Sequence, residues 1–126
     1  MKEITHHGID KELAASSVVE AGGFFFIGFC VGNVGQDIEA QINGAFDDLS
    51  NRLHSVGLVL ENVVKIDAMF RDIWNIPVME NIIRERFNGK YPARKSIQTE
   101  FAHKGGQNGL LFQLDAIAFK GYTNPS

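Results

Sequence analysis

The sequence predicts an α+β fold in which two helices cover one face of a sheet of five to six strands. Two segments repeat apolar residues at intervals of three and four positions, which is typical of amphipathic helices. The other apolar segments have strand lengths and border glycine-rich turns. With 126 residues and no internal repeat or linker, the chain is expected to form a single domain over residues 1–126.

The first strands form a predicted hairpin. A strand at Ser17–Glu20 is followed by Gly22–Gly23, which suits a tight turn, and then by the apolar strand Phe24–Val31. Residues Met1–Thr5 are expected to add a short strand before this hairpin.

The first helix is predicted between Asp37 and Gly57. Asp37 is a suitable N-cap because its side chain accepts hydrogen bonds from the free backbone N–H groups of the first turn. Gly57 is a suitable end because glycine adopts the left-handed conformation that closes helices. The apolar stripe of this helix consists of Ile38, Ile42, Ala45, Phe46, Leu49, Leu53 and Val56.

The second half of the chain predicts two strands around a shorter helix, and then a final strand. Pro77 suits the first turn of this helix, and Asn88–Gly89 closes it. The alternation of Val63–Arg71 places Val64 on the same face as Ile66. The predicted elements are the strand Val63–Arg71, the helix with the apolar residues Val78, Ile82, Ile83 and Phe87, the strand Lys95–Phe101, the loop Ala102–Asn108, the strand Leu110–Lys120 and a loose tail at Gly121–Ser126.

Two of the predicted strands are apolar on both faces. The opposing sets are Phe24, Phe26 and Gly28 against Phe25, Ile27 and Phe29 in one strand, and Leu110, Phe112, Leu114 and Ala116 against Leu111, Ile117 and Phe119 in the other. Such strands are normally buried on both sides. Since two helices cover only one face of the sheet, we expect another copy of the same chain to cover the second face.

Composition and charge exclude several classes of function. The net charge is −3 with Lys and Arg scattered, so the chain lacks the basic stripe that nucleic-acid binding requires. The polar N-terminus Met1–Asp10 lacks the apolar stretch of a signal peptide, and the apolar run Phe24–Val31 is too short to span a bilayer. The single cysteine, Cys30, has no disulfide partner in the chain, and His6–His7 makes a poor metal site without further ligands. These observations predict a cytoplasmic protein that binds no nucleic acid, membrane or metal.

Two short motifs and the order of the elements resemble the RidA/YjgF (L-PSP) family. The first motif is Tyr91-Pro92-Ala93-Arg94, before the penultimate strand, and the second is Gln113-Leu114-Asp115-Ala116-Ile117-Ala118, in the last strand. The similarity extends over residues Glu20–Phe119. It implies a chorismate-mutase-like mixed sheet, assembled as a homotrimer with ligand clefts between the subunits.

The resemblance also implies an activity. Family members hydrolyse reactive enamines and imines, such as 2-iminobutanoate and 2-iminopropanoate, to 2-keto acids and ammonia. Arg94 matches the arginine that grips the substrate carboxylate, a task suited to a planar guanidinium that donates two parallel hydrogen bonds. No metal or organic cofactor is expected, because an imine carbon is already electrophilic and positioning does most of the work.

The resemblance suggests further site residues. Gln113 stands where the family has a water-positioning glutamate, and an amide can hold a water but cannot take its proton. The backbone around Ser96 would place the imine nitrogen and the water, and Asn81 would line the pocket. Cys30 belongs to Gly28-Phe29-Cys30, which replaces the family's Ser-Gly-Gln segment, and is expected at the ligand site. Ala15 replaces the family's tyrosine.

Each of these residues also has a purely structural interpretation. Arg94 suits a surface or interface position, and Asn81 suits a solvent-facing one. Ligand, water or neighbouring backbone would each satisfy the amide of Gln113. A lone cysteine at the end of an apolar strand, such as Cys30, is more typical of packing than of a nucleophile. Two functions therefore stay open: a hydrolase of small carboxylate-bearing imines, and a non-catalytic trimer that binds a small carboxylate as a signal or interaction module.

Overall fold

The computed structural model describes residues 3–101 and 109–121, which form one six-stranded sheet and two helices. The predicted loop Ala102–Asn108, and the predicted tail after Gly121, lie outside the described residues. None of the described helices is long and apolar enough to cross a membrane. The strands are β1 (Thr5–Asp10), β2 (Ala15–Ala21), β3 (Phe24–Cys30), β4 (Val63–Phe70), β5 (Ala93–Gln98) and β6 (Phe112–Phe119). The helices are α1 (Ile38–Ser55) and α2 (Ile76–Phe87). A short 3₁₀ turn at Leu60–Asn62 follows α1, and another at Ile73–Asn75 directly precedes α2.

The sheet has the strand order β1-β2-β3-β6-β4-β5. All neighbouring strands run antiparallel except β4 and β5, which are parallel and are connected through α2. A parallel pair requires such a crossover because a short turn cannot return the chain to the same end of the sheet. The predicted α+β fold class, with a mixed sheet and two helices, is confirmed.

Helix α1 begins and ends as predicted. Oδ1 of Asp37 accepts a hydrogen bond from the backbone N–H of Ala40 at 2.9 Å, and Gly57 has a φ of +82° just beyond the helix. The helix buries one apolar face against the sheet, and each large side chain removed from water there stabilises the fold by roughly 1.5–3 kcal/mol. The buried apolar residues of α1 are Ile42, Ala45, Phe46, Leu49 and Leu53.

Gln41 is a buried polar residue of α1 that connects the helix to the start of β6. Its Nε2 donates to the carbonyl oxygens of Gln36 at 2.9 Å and Gly109 at 2.7 Å. Its Oε1 accepts from the backbone N–H of Leu111 at 2.8 Å. A buried amide with three partners is satisfied, so Gln41 costs little to bury and holds the two segments in register.

The strand bounds require two corrections. The first strand of the described residues is β1 at Thr5–Asp10, which pairs with β2 from Thr5 opposite Glu20 to Asp10 opposite Ala15. It overlaps the predicted strand Met1–Thr5 only at Thr5, and residues 1 and 2 of that prediction lie outside the described residues. This edge strand is almost wholly exposed and polar, so it has no apolar pattern to reveal it. Strand β5 begins at Ala93 and ends at Gln98, two to three residues earlier than predicted.

The two faces of the sheet differ in their cover. Alternate residues of β6 are buried under the helices, as predicted, while the intervening residues are only half-buried. On the second face, called the open face here, Phe24 and Phe26 of β3 remain 42% and 44% exposed. Irregularities in strand pairing changed two expectations. Val64 lies at the irregularity in the pairing of β4 with β6 and is exposed, although it was predicted to share the face of Ile66. In β3, the irregularity in the pairing with β6 places Cys30, rather than Phe29, on the buried side of the strand.

Candidate functional site

A cavity of about 360 Å³ lies where α2 ends and β5 begins. Helix α2 closes at Asn88, whose left-handed backbone turns the chain, and after four intervening residues the chain enters β5. This tight return brings the exposed face of α2 next to the first residues of the edge strand. The cavity is lined by Glu80, Ile83, Arg84, Tyr91, Pro92 and Arg94.

Arg94 projects from β5 toward α2. It lies beside Ile66 in the pairing of β4 with β5, and Ile66 is buried under the helices. Nη2 of Arg94 donates to Oε2 of Glu80 at 3.0 Å, and the two side chains keep 30% and 35% of their surface exposed. Its Nη1 is 3.5 Å from Oγ of Ser96, which is a weak contact. The guanidinium is therefore oriented by two neighbours but remains accessible from the cavity.

Arg84 supplies a second cation to the cavity. Glu80 and Arg84 are four residues apart on α2 and so share one helix face. Nη1 of Arg84 donates to Oδ1 of Asn81 at 2.8 Å. Asn81 itself is exposed and is not among the residues that line the cavity. The geometry thus brings Glu80, rather than Asn81, next to Arg94.

Gln113 lies on the open face of the sheet, away from Arg94. It pairs with Met69 of β4, and its neighbours Phe112 and Leu114 point to the helix-covered face. Nε2 of Gln113 is 3.6 Å from Sδ of Met69, a weak contact that leaves the amide able to bind a further partner. Within one chain, Gln113 and Arg94 therefore do not meet.

A second cavity, of about 200 Å³, lies toward the opposite edge of the sheet, between the β1–β2 hairpin and β3. Its lining includes Ala15, Gly28, Phe29 and Arg52. Arg52 is not free to bind a ligand there, because its guanidinium donates to five oxygen atoms. These are the carbonyl oxygens of Ser17 at 3.2 Å, Gly28 at 2.7 Å and Phe29 at 2.9 Å, and the carboxylate of Asp48, with Oδ2 at 3.0 Å and Oδ1 at 3.4 Å.

Cys30 has no exposed surface, since its side chain packs into the core. Burial raises the pKa of its thiol to about 12; the charge of Arg52 opposes this shift but does not cancel it. The expectation that Cys30 contacts a ligand does not agree with this burial, and its packing interpretation is favoured. Across residues 3–101 and 109–121, no cluster of three or more His, Cys, Asp and Glu is arranged to hold a metal ion.

Comparison with known proteins establishes the family. The model of the family described as Endoribonuclease L-PSP matches residues 12–119. The chain belongs to the RidA/YjgF (L-PSP) family. A YjgF family member of known structure from Streptococcus pyogenes M1 GAS is 60% identical, with a TM-score of 0.89 over 94% of this chain and 98% of that one.

More distant relatives extend the comparison. A RutC family protein from Pyrococcus horikoshii is 25% identical over 112 residues, which are 83% of this chain and 86% of that protein. A YjgF family structure from Mycobacterium tuberculosis is 21% identical and shares the fold, with a TM-score of 0.81 over 93% of this chain and 99% of that one.

The positions that the RidA/YjgF resemblance singles out are distributed between the two cavities. Arg94 and Ser96 belong to the first cavity or its border. Ala15 and Gly28, where the chain differs from the family pattern, line the second. Strand β5 is three strands away from β3, a separation of roughly 14 Å at the usual spacing between strands. A small ligand therefore cannot contact both cavities of one chain.

Two residues of the first cavity were missed at the sequence level. Glu80 and Arg84 carried a usable signal, since opposite charges four positions apart on a predicted helix mark one polar face. Nothing in the sequence showed that this face would meet Arg94, because that contact depends on the return of the chain into β5.

Proposed function

We infer that this chain is a cytoplasmic homotrimer that hydrolyses small carboxylate-bearing enamines or imines of the 2-iminobutanoate and 2-iminopropanoate type. The products are the 2-keto acid and ammonia, and the reaction takes place in a cleft between subunits. Membership of the RidA/YjgF family supports this proposal, and so does the presence of Arg94 in a cavity large enough for a four-carbon acid.

The observation that carries the proposal is the accessible guanidinium of Arg94. It is held in place by Glu80 and lies near a second cation, Arg84. Arginine binds carboxylates through paired, charge-assisted hydrogen bonds, and an orientation fixed in advance reduces the entropy lost on binding. Ile83 and Pro92 supply apolar surface for a short aliphatic side chain.

The attacking water is assigned to Gln113 and to the backbone near Ser96. Because Gln113 faces away from Arg94 within one chain, it reaches the ligand only from a neighbouring subunit. The same argument applies to the second cavity, which would join the first across a subunit boundary. An intersubunit cleft is thus consistent with the separation of the two cavities.

The test couples an amino-acid oxidase, which generates 2-imino acids, to a measurement of imine loss. We expect the wild-type chain to accelerate this loss, and Arg94→Ala to reduce kcat/KM by about a hundredfold, because it removes two charge-assisted hydrogen bonds. Lys90→Ala is the matched control, since Lys90 is an exposed cation outside the cavity lining. Equal rates with and without wild-type protein, for several imino acids, would exclude the deaminase.

The second candidate function is a non-catalytic trimeric module that binds a small carboxylate. Gln113 favours it, because an amide cannot accept the proton of an attacking water. The apolar Ala15 and the glycine at position 28 favour it too, since they place no polar side chain in the second cavity. Arg94-dependent ligand binding without turnover in the same assay would support this alternative. With a net charge of −3 and scattered basic residues, a ribonuclease has no comparable support.

A further inference from the structure

Glu80 places a carboxylate inside a cavity whose proposed ligand is itself a carboxylate. Its Oε2 is 3.0 Å from Nη2 of Arg94, and its side chain is 35% exposed. Among the residues that line the cavity, the other charged groups are Arg84 and Arg94, and Tyr91 is the remaining titratable group. A carboxylate bound to Arg94 would therefore lie close to a second negative charge.

This arrangement disfavours a ligand that presents only a carboxylate. Like charges a few ångströms apart repel each other, and the repulsion is only partly screened when both groups are half-buried. A ligand with a cationic nitrogen next to its carboxylate reverses the sign of the interaction with Glu80. Within the described residues, the ion pair uses Oε2 of Glu80, so Oε1 can accept from such a nitrogen.

We propose that the cavity selects zwitterions: Arg94 holds the ligand's carboxylate, and Glu80 holds a cationic nitrogen on the adjacent carbon. This inference rests on the proposed function, because it concerns the same cavity and the same anchor. It makes Glu80 the residue that determines ligand specificity.

The proposal relates directly to the chemistry of 2-imino acids. A protonated 2-imino acid is a zwitterion whose iminium nitrogen donates hydrogen bonds, whereas the 2-keto acid product carries oxygen at the same position and cannot donate to Glu80. The substrate would thus be bound more tightly than its product. The keto acid loses the contact with Glu80 and gains a repulsive one, which favours its release.

The experiment measures binding, and therefore does not depend on turnover. L-2-Aminobutanoate and 2-oxobutanoate share a carbon skeleton and a carboxylate, and differ in the group on the second carbon. Their dissociation constants are measured by ligand-observed NMR near neutral pH with the full chain and with Glu80→Gln. Glu80→Asp is added because it keeps the charge, and Glu85→Gln is the control because Glu85 is an exposed acid on the same helix outside the cavity lining.

We expect the wild type to bind the amino acid about tenfold more tightly than the keto acid, as one charge-assisted hydrogen bond predicts. Glu80→Gln should bring the ratio to one or below, mainly through weaker amino-acid binding and stronger keto-acid binding. Glu80→Asp should retain a preference for the amino acid, and Glu85→Gln should match the wild type. Thermal unfolding of each variant checks that the fold is intact.

Equal or stronger binding of the keto acid by the wild type would overturn the proposal, as would a Glu80→Gln variant that keeps the wild-type ratio. Failure of both compounds to bind would overturn it as well. Failure of the proposed function has a different signature: no imine loss in the coupled assay while the preference for the amino acid persists. Conversely, Arg94-dependent turnover with no effect of Glu80→Gln on the binding ratio would leave the hydrolase and remove the role of Glu80.

Discussion

The thiol of Cys30 and the guanidinium of Arg52 lie in one neighbourhood at the end of β3. Arg52 donates to Asp48 and to the carbonyl oxygens of Gly28 and Phe29, which lie within the irregularity in β3, and the φ of Phe29 is +63°. These bonds place a charged donor on carbonyl groups of the irregular segment, where the register between β3 and β6 shifts. Because burial dominates the environment of the thiol, the positive charge of Arg52 does not make Cys30 a thiolate.

The raised pKa of Cys30 predicts a pH dependence of stability. A thiol with a pKa of 9.0 when unfolded and about 12 when folded holds its proton more tightly in the native state. The contribution of this thiol to the stability of the fold is therefore complete below about pH 9 and is lost as the pH rises toward 12. Between about pH 8 and pH 10 we expect the wild type to lose about 1 kcal/mol of unfolding free energy more than Cys30→Ala does. Urea unfolding at both pH values measures this difference, and parallel losses in the two proteins would contradict it.

At the level of elements, a close contact fixes α1 against the loop that follows β3. Gly32 and Gly44 approach so closely that a Cβ built on Gly44 would lie 2.7 Å from the carbonyl carbon of Gly32 and 2.8 Å from Nδ2 of Asn33. Real Cβ atoms do not come this near to backbone atoms, so both positions require glycine. The contact sets the path of the chain from the end of β3 into α1.

Gly44→Ala therefore tests two opposing effects. Alanine in a helix interior is favoured over glycine by about 1 kcal/mol, whereas overpacking against backbone costs about 1–3 kcal/mol and often more. Since the contact in question is with backbone that cannot rotate away, we expect a net loss of about 1–2 kcal/mol in unfolding free energy. Chemical denaturation measures it. Asn51→Ala, at an exposed position of the same helix, is the control and should be neutral or slightly stabilising.

For the whole molecule, the open face of the sheet is the surface on which we expect another chain to pack. Phe24 and Phe26 form its apolar part together with half-buried residues of β6, such as Ile117 and Phe119, which pair with them directly. An apolar strand surface of this kind is unfavourable in water and is typical of an interface. The homotrimer of the proposed function would cover this face and bring the two cavities of neighbouring chains together.

Phe26→Asp should disrupt that assembly, because it would bury an unpaired carboxylate in the proposed interface. We expect the wild type to sediment with the mass of three chains and the variant to shift toward the single chain of 14.0 kDa. Val59→Asp is the control, since Val59 is similarly exposed, at 46%, but lies outside the sheet. A variant that stays trimeric, or a wild type that is monomeric, would contradict the assignment of the open face to the interface. If the cleft lies between subunits, Phe26→Asp should also abolish the activity measured with Arg94.

Arg94 was singled out by the resemblance to the family. Apart from that, the sequence by itself determined the fold class, both helices with their caps, the β2–β3 hairpin and the two-faced strands. These are local properties: the period of apolar residues reports which face of an element is buried, and capping and turn residues act within a few positions. The tertiary structure alone decided the polar strand β1, the bounds of β5 and the burial of Cys30. It also decided the pairing of Arg94 with Glu80 and the separation of Gln113 from Arg94. Each of these depends on how segments far apart in the chain align, and that alignment is set by strand pairing and packing across the whole sheet, which no local pattern encodes.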